Sequence, residues 1–166
     1  MCIRDRFHNP HNPEIHYLTT AQEIWRQMEG DVAAFVAGIG SGGTLGGTAK
    51  FLKEQNPSIH IAAVEPANVS ALLGHEPGLH QIQGIGDGFV PDVLDTSLID
   101  EVIEVTDEDA INTARKLAKK EGVLVGTSAG ANVWSALQLS ARLGPGKNVV
   151  TVLPDRAERY FSTALI

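Results

Sequence analysis

The sequence predicts an α/β protein built on an open parallel sheet flanked by helices, and three observations carry that prediction. Short apolar runs of strand type alternate with stretches of helical periodicity. The connections between successive runs are too long for hairpins and suit crossover helices, which makes the strands parallel and covers the sheet on both faces. The first apolar run also breaks directly into Gly38-Ile39-Gly40-Ser41-Gly42-Gly43 before a helical pattern resumes. Sheets of this class bind their ligands in such a loop, at the carboxyl end of a strand.

Residues 1–6 show no periodicity and carry three charges, so they read as an extraneous or misassigned N-terminus ahead of a single α/β domain over residues 7–166. Residues 7–17 contain Asn9-Pro10 and Asn12-Pro13 together with His8, His11 and His16. Asn-Pro steps favour turns and oppose helix, so the segment reads as a loop. Without a cysteine or carboxylate cluster beside them, these histidines do not make a metal site. Thr19 or Thr20 caps a helix over 21–28, with Glu23 placed to complete a capping box with Thr20, and Gly30 ends it.

A strand over 33–37, a helix over 44–55 and a strand over 59–65 follow. Residues 66–97 hold eight Gly and Pro residues and are too long for an idle loop, so they read as functional or locally helical. A strand over 101–105 leads to Thr106, a good N-cap, and to a helix over 107–120 with Ala110, Ala114, Leu117 and Ala118 on one face. Its acidic start and lysine-rich end suit the helix dipole, and Gly122 stops it. The apolar residues 123–125 run into Gly126-Thr127-Ser128-Ala129-Gly130 and a helix to residue 143. Residues 148–153 form the last strand, ended by Pro154.

Composition narrows the function. A net charge of −7 without a basic run argues against a nucleic-acid surface. Glycines and charges interrupt every apolar stretch before membrane-spanning length. The single cysteine, Cys2, cannot form an internal disulfide, which fits a reducing, cytoplasmic setting.

The glycine loop aims main-chain N–H groups at one spot, where the following helix adds partial positive charge, so it reads as a phosphate cradle. Two motifs point elsewhere. Gly38-Ile39-Gly40-Ser41-Gly42-Gly43 satisfies G-x-G-x-x-G, and Glu65 stands where a ribose-binding acid would, as in an NAD-binding dehydrogenase. That fingerprint normally opens its domain, whereas here a helix and a Pro-rich loop precede it. Gly126-Thr127-Ser128-Ala129-Gly130 satisfies the G-x-S-x-G nucleophile elbow, but all six histidines precede Ser128, and the hydrolase order needs one after it. A serine there also suits a helix N-cap.

Five ordered blocks together resemble the C-terminal half of the cysteine synthase (O-acetylserine sulfhydrylase) family, fold-type II pyridoxal-phosphate enzymes. They are Asn-Pro-x-Asn-Pro-x-x-His-Tyr at 9–17, Gly-Ser-Gly-Gly-Thr at 40–44, Gln-Gly-Ile-Gly-x-Gly-Phe-x-Pro at 83–91, Gly-Thr-Ser-Ala-Gly-Ala at 126–131, and Leu-Pro-Asp at 153–155 with Glu-Arg-Tyr-x-Ser-Thr at 158–163. The resemblance implies the large C-terminal domain of the tryptophan synthase β-like fold, in truncated form. It assigns Gly40, Ser41, Gly42, Gly43 and Thr44 to the phosphate of pyridoxal phosphate, and Ser128 to the pyridine nitrogen. Pro154 and Asp155 lie beside the ring, and Gly84, Gly86 and Gly88 line the substrate side. The implied reaction is β-replacement, in which sulfide displaces the acetate of O-acetylserine to give cysteine. A homodimer and a docked serine acetyltransferase are the implied partners.

The family's Schiff-base lysine and its Thr-Ser-Gly-Asn-type carboxylate loop have no counterpart here. Lys50, Lys53, Lys116, Lys119, Lys120 and Lys147 all stand in other settings. The expectation is therefore a fragment lacking the N-terminal catalytic-lysine domain and inactive by itself. Departures at Gly46, Asp87, Thr127, Ala129 and Arg156-Ala157 leave a cystathionine β-synthase-like enzyme as the nearest alternative. A non-catalytic phosphate-binding half-domain is the alternative from another class.

Overall fold

The computed structural model describes residues 4–160 except Pro77, together with residues 162, 163 and 165. Residues 1–3 of the N-terminal hexapeptide, Cys2 among them, lie outside the described residues. The described helices are α1 (Arg4–His8), α2 (His11–Leu18), α3 (Thr20–Gln27), α4 (Gly43–Gln55), α5 (Asp107–Glu121) and α6 (Thr127–Leu143). The strands are β1 (Ala34–Gly38), β2 (His60–Pro66), β3 (Glu101–Val105) and β4 (Val149–Thr151), and they form one parallel sheet in the order β3-β2-β1-β4.

Strand periodicity separates two cores. Ala34 and Val36 of β1 with Ala62 and Val64 of β2 face α5 and α6, where Ala110, Ala131 and Leu139 cover them. Phe35, Ala37, Ile61 and Ala63 face the other way, under Leu45, Ala49 and Leu52 of α4. Every one of these side chains is at most 2% exposed, which is the double-sided burial a parallel sheet requires.

Two expectations change. Residues 11–18 are helix, because Pro10 stands at the N-cap of α2 and Pro13 within its first turn. Proline is tolerated there, since those N–H groups have no intrahelical acceptor. Asn9 supports the start by accepting the His11 N–H through its side chain at 3.0 Å. The Thr20–Glu23 capping box does not form. Thr19 is the N-cap, without a side-chain cap bond, and its hydroxyl instead donates back to the Ile15 carbonyl at 2.6 Å. The apolar residues 123–125 add no strand, and Val125 makes only an antiparallel bridge with Arg156.

Elsewhere local chemistry prevails. The Thr106 hydroxyl accepts the Asp109 N–H at 3.1 Å and caps α5, while Gly122 at φ 68° ends it in the left-handed conformation.

Candidate anion-binding site

In the strand order β3-β2-β1-β4 the chain runs from β1 outward to one side and later places β4 on the other. The carboxyl ends of β1 and β4 therefore flank a topological switch point, where open α/β sheets bind ligands. A cleft of about 300 Å³ opens there, lined by Gly38, Thr44, Asn132, Val152 and Pro154, with Ile85, His16 and Thr20. Asn132, 1% exposed, holds its walls together. Its Oδ1 accepts the Gly38 N–H at 2.8 Å, and its Nδ2 donates to the Val152 carbonyl at 2.9 Å.

From the glycine loop, Gly38 and Thr44 line this cleft, while Ser41 and Thr44 line a second one of about 470 Å³ together with Asn12 and His16 of α2. Gly42 takes φ 79° as the N-cap of α4, a conformation glycine adopts without penalty. The first helical hydrogen bond runs from Gly46 N–H to Gly42 C=O at 2.8 Å. The amides of Gly43, Thr44 and Leu45 thus precede any intrahelical acceptor. The first turn of α4 carries no acidic residue to occupy them. Free N–H groups, the positive end of a 13-residue helix and the hydroxyls of Ser41 and Thr44 together suit a phosphate.

The glycines do different work. A Cβ on Gly40 would meet the Gly84 carbonyl oxygen, so this glycine admits the neighbouring loop. A Cβ on Gly43 would meet the Asn12 side chain and one on Gly47 the Pro13 carbonyl oxygen, so these two let α2 lie against α4. Gly84, Gly86 and Gly88, at φ 90°, 76° and 80°, bend the second loop back over the first, where Gly86 N–H donates to the Ile39 carbonyl at 3.0 Å. Gln83 N–H reaches the Thr127 hydroxyl at 3.2 Å and links that loop to the start of α6.

Ser128 is 3% exposed inside the first turn of α6, whose N-cap is Gly126, so it neither caps the helix nor lines the cleft. Pro154 does line it. The Asp155 carboxylate accepts the Tyr160 hydroxyl on Oδ2, while its Oδ1 is buried without a partner. Burial, followed by the Asp155 hydrogen bond and charge, pushes the Tyr160 hydroxyl up to about 12. The folded state thus holds this proton more tightly than the unfolded chain, whose tyrosines titrate near 10. The associated stability is complete below pH ~10 and disappears as pH rises through ~12. Urea unfolding across that range is expected to show a fall in stability for the parent that Tyr160→Phe removes.

Glu65 is committed elsewhere. It is 3% exposed and accepts the Ser70 hydroxyl at 2.7 Å and the Leu72 N–H at 3.1 Å, so it is not free to bind a ribose. Asn12, His16, Thr20 and Asn132 are the site residues that pattern reading missed. The Asn-Pro-x-Asn-Pro-x-x-His spacing would have pointed to the first two had it been read as a helix, since Asn12 and His16 are then one turn apart on one face. A larger cleft, about 800 Å³ between α2, α4 and residues 93–98, lies on the far side of α4. Its polar groups are already matched, Tyr17 with Glu54 and Lys53 with Asp100. Lys50 and Lys53 line that larger cleft, whereas no lysine lines the 300 Å³ cleft or the 470 Å³ one over Ser41 and Thr44.

A glycine loop at a switch point, with hydroxyls and free amides at a helix N-terminus, is the arrangement of an anion-binding α/β domain. Residues 2–155 match the family described as pyridoxal-phosphate dependent enzyme, and the chain belongs to that family. Cysteine synthase of Staphylococcus aureus strain Mu50 is 49% identical over 161 residues, 96% of this chain and 52% of the relative. Among solved structures, O-acetyl serine sulfhydrylase isoform 3 from Entamoeba histolytica superposes with a TM-score of 0.93 at 38% identity, covering 97% of this chain and 48% of that one. An O-acetylserine-dependent cystathionine β-synthase from Helicobacter pylori superposes with a TM-score of 0.90 at 47% identity, over 96% and 52%. The chain spans about half the length of the curated relatives it matches. Both likenesses agree with the open parallel sheet and family expected from sequence.

Proposed function

We propose that this chain is the cofactor-phosphate-binding part of a pyridoxal-phosphate-dependent cysteine synthase that replaces the acetate of O-acetylserine with sulfide. The observation that carries the reading is the cradle at the carboxyl end of β1: three amides without intrahelical acceptors and two hydroxyls at the start of α4. In this reading Gly40, Ser41, Gly42, Gly43 and Thr44 hold the phosphate, and Asn132 fixes the cradle relative to the residues after β4. The ring extends toward Pro154 and Asp155. Ser128 is the group expected at the pyridine nitrogen, and Asp155, beside the ring, follows a residue that lines the cleft. Gly84, Gly86 and Gly88 form the rim on the substrate side. Bound there, the cofactor supplies the electron sink for bond breaking at the substrate's α and β carbons.

The likeness to the Helicobacter pylori enzyme favours a second reading, a cystathionine β-synthase-like enzyme on the same scaffold. The domain boundary after residue 6, a cytoplasmic setting, a homodimer and serine acetyltransferase docking belong to the same proposal. No helix among the described residues is long and apolar enough to cross a membrane.

Equilibrium titration of the purified chain tests the site. Pyridoxal phosphate is expected to bind at least ~10-fold more tightly than pyridoxal, the charge-assisted contacts to the phosphate making the difference, and inorganic phosphate is expected to compete. Borohydride treatment followed by mass spectrometry is expected to find no specific lysine adduct, since no lysine lines these clefts. Tighter binding of NAD than of pyridoxal phosphate would overturn the proposal.

A further inference from the structure

The cradle hydroxyls are themselves gripped from behind by α2. Asn12 and His16 are one turn apart on this helix and face the start of α4. Asn12 Nδ2 donates to the Arg6 carbonyl at 2.8 Å and to Ser41 Oγ at 3.0 Å. The Arg6 carbonyl can only accept, which fixes the amide with its nitrogen toward Ser41. His16 lies between two threonines, with Nδ1 3.0 Å from Thr20 Oγ1 and Nε2 3.2 Å from Thr44 Oγ1. It lines both clefts beside the glycine loop, and burial lowers its pKa, so the ring is neutral and carries one N–H.

Resting on the phosphate-cradle reading above, we propose that Asn12 and His16 are positioning residues that turn Ser41 and Thr44 into hydrogen-bond donors toward the bound anion. A hydroxyl has one hydrogen to give and lone pairs to receive. If a neighbour occupies its oxygen with an N–H, its own hydrogen is released to point elsewhere. Asn12 does this to Ser41. His16 does it to Thr44 when the ring proton is on Nε2 and the Thr20 hydroxyl donates to Nδ1. The dianionic phosphate ester of the cofactor offers only acceptors, so a hydroxyl whose hydrogen was already spent on His16 would present lone pairs to it and repel it. The tautomer thus decides whether Thr44 helps or opposes binding. In α2 helical spacing sets both side chains one turn apart on one face, and the close approach of α2 to α4 explains the requirement for glycine at 43 and 47.

Two experiments on the intact chain test this. The ¹⁵N chemical shifts of the His16 ring in the free protein are expected to show protonation at Nε2, and an Nδ1–H tautomer would overturn the role of His16. Titration with pyridoxal phosphate and with inorganic phosphate then separates positioning from mere packing. His16→Leu and Asn12→Leu are each expected to weaken binding about tenfold, the size of one lost charge-assisted hydrogen bond. In a Thr44→Val background His16→Leu is expected to cost nothing more, and likewise Asn12→Leu in Ser41→Ala, because each acts through that hydroxyl. His16→Gln, which keeps a donor on a side chain of similar reach, is expected to recover most of the affinity and serves as the test if His16→Leu fails to fold. Additive losses, or unchanged affinity in both leucine variants, would refute the positioning role while leaving the cradle intact. If the parent binds neither ligand, the cradle reading falls and this one with it.

Discussion

Replacing Asn132 with leucine is expected to destabilise the chain by about 3 kcal/mol and to abolish measurable binding of pyridoxal phosphate. Leucine has nearly the same size, so packing at this 1%-exposed position is retained. Both hydrogen bonds are lost, however, leaving the part-buried Gly38 N–H and Val152 carbonyl without these partners. Each such group costs about 1–3 kcal/mol. The binding loss has its own cause: this amide ties the end of β1, where the glycine loop begins, to the segment leading into Pro154. Urea unfolding should show a lower midpoint at unchanged slope, the mark of lost stability without a change in compactness. A decrease under ~0.5 kcal/mol would mean that the two main-chain groups find other partners.

Gly47→Ala and Gly46→Ala, identical changes at adjacent positions, are expected to have opposite signs. A Cβ at 47 would lie on the Pro13 carbonyl oxygen and 2.9 Å from the His16 Cβ. Backbone cannot yield as a side chain does, so α2 must back away from α4, at a cost of about 2 kcal/mol. A Cβ at 46 would come no closer than 3.4 Å to anything, and that atom is the Cδ1 end of Leu94. Alanine is the better helix former by ~1 kcal/mol, so this variant should be neutral to slightly more stable. Thermal unfolding gives the two signs, and amide hydrogen exchange over residues 11–18 reads α2 directly, with faster exchange expected only in Gly47→Ala. Equal destabilisation by both would show that the glycines serve α4 itself and not its contact with α2.

The alternation of runs, the glycine break and the caps at Thr106 and Gly122 are local signals, and the structure follows them closely. The helix over 107–120 extends by one residue, to Glu121, and the strand over 101–105 keeps its bounds. Reading failed where a local rule has a position-dependent exception. Proline opposes helix in the interior but not in the first turn, so Asn9-Pro10 and Asn12-Pro13 looked like a loop and are the start of α2. The capping box failed for a related reason. Helices α2 and α3 adjoin, so the Thr19 hydroxyl is taken by the preceding helix and Thr20 lies 3.0 Å from His16.

The sequence by itself determined the class: a parallel α/β sheet, a glycine loop between the first strand and a helix, and a family resemblance that the comparisons share. These are consequences of periodicity and of backbone chemistry that glycine alone permits, and both are written along the chain. Which glycine admits the neighbouring loop and which the packing of α2 was decided only by the tertiary structure. So was the commitment of Glu65 to Ser70 and Leu72, the burial of Ser128, and the meeting of Asn12 and His16 with the cradle hydroxyls. Each of these last assignments depends on what lies across a gap of a few ångströms from a residue distant in sequence. The glycine loop is legible from its own residues; the side chains that reach its hydroxyls become visible only when α2 is folded against it.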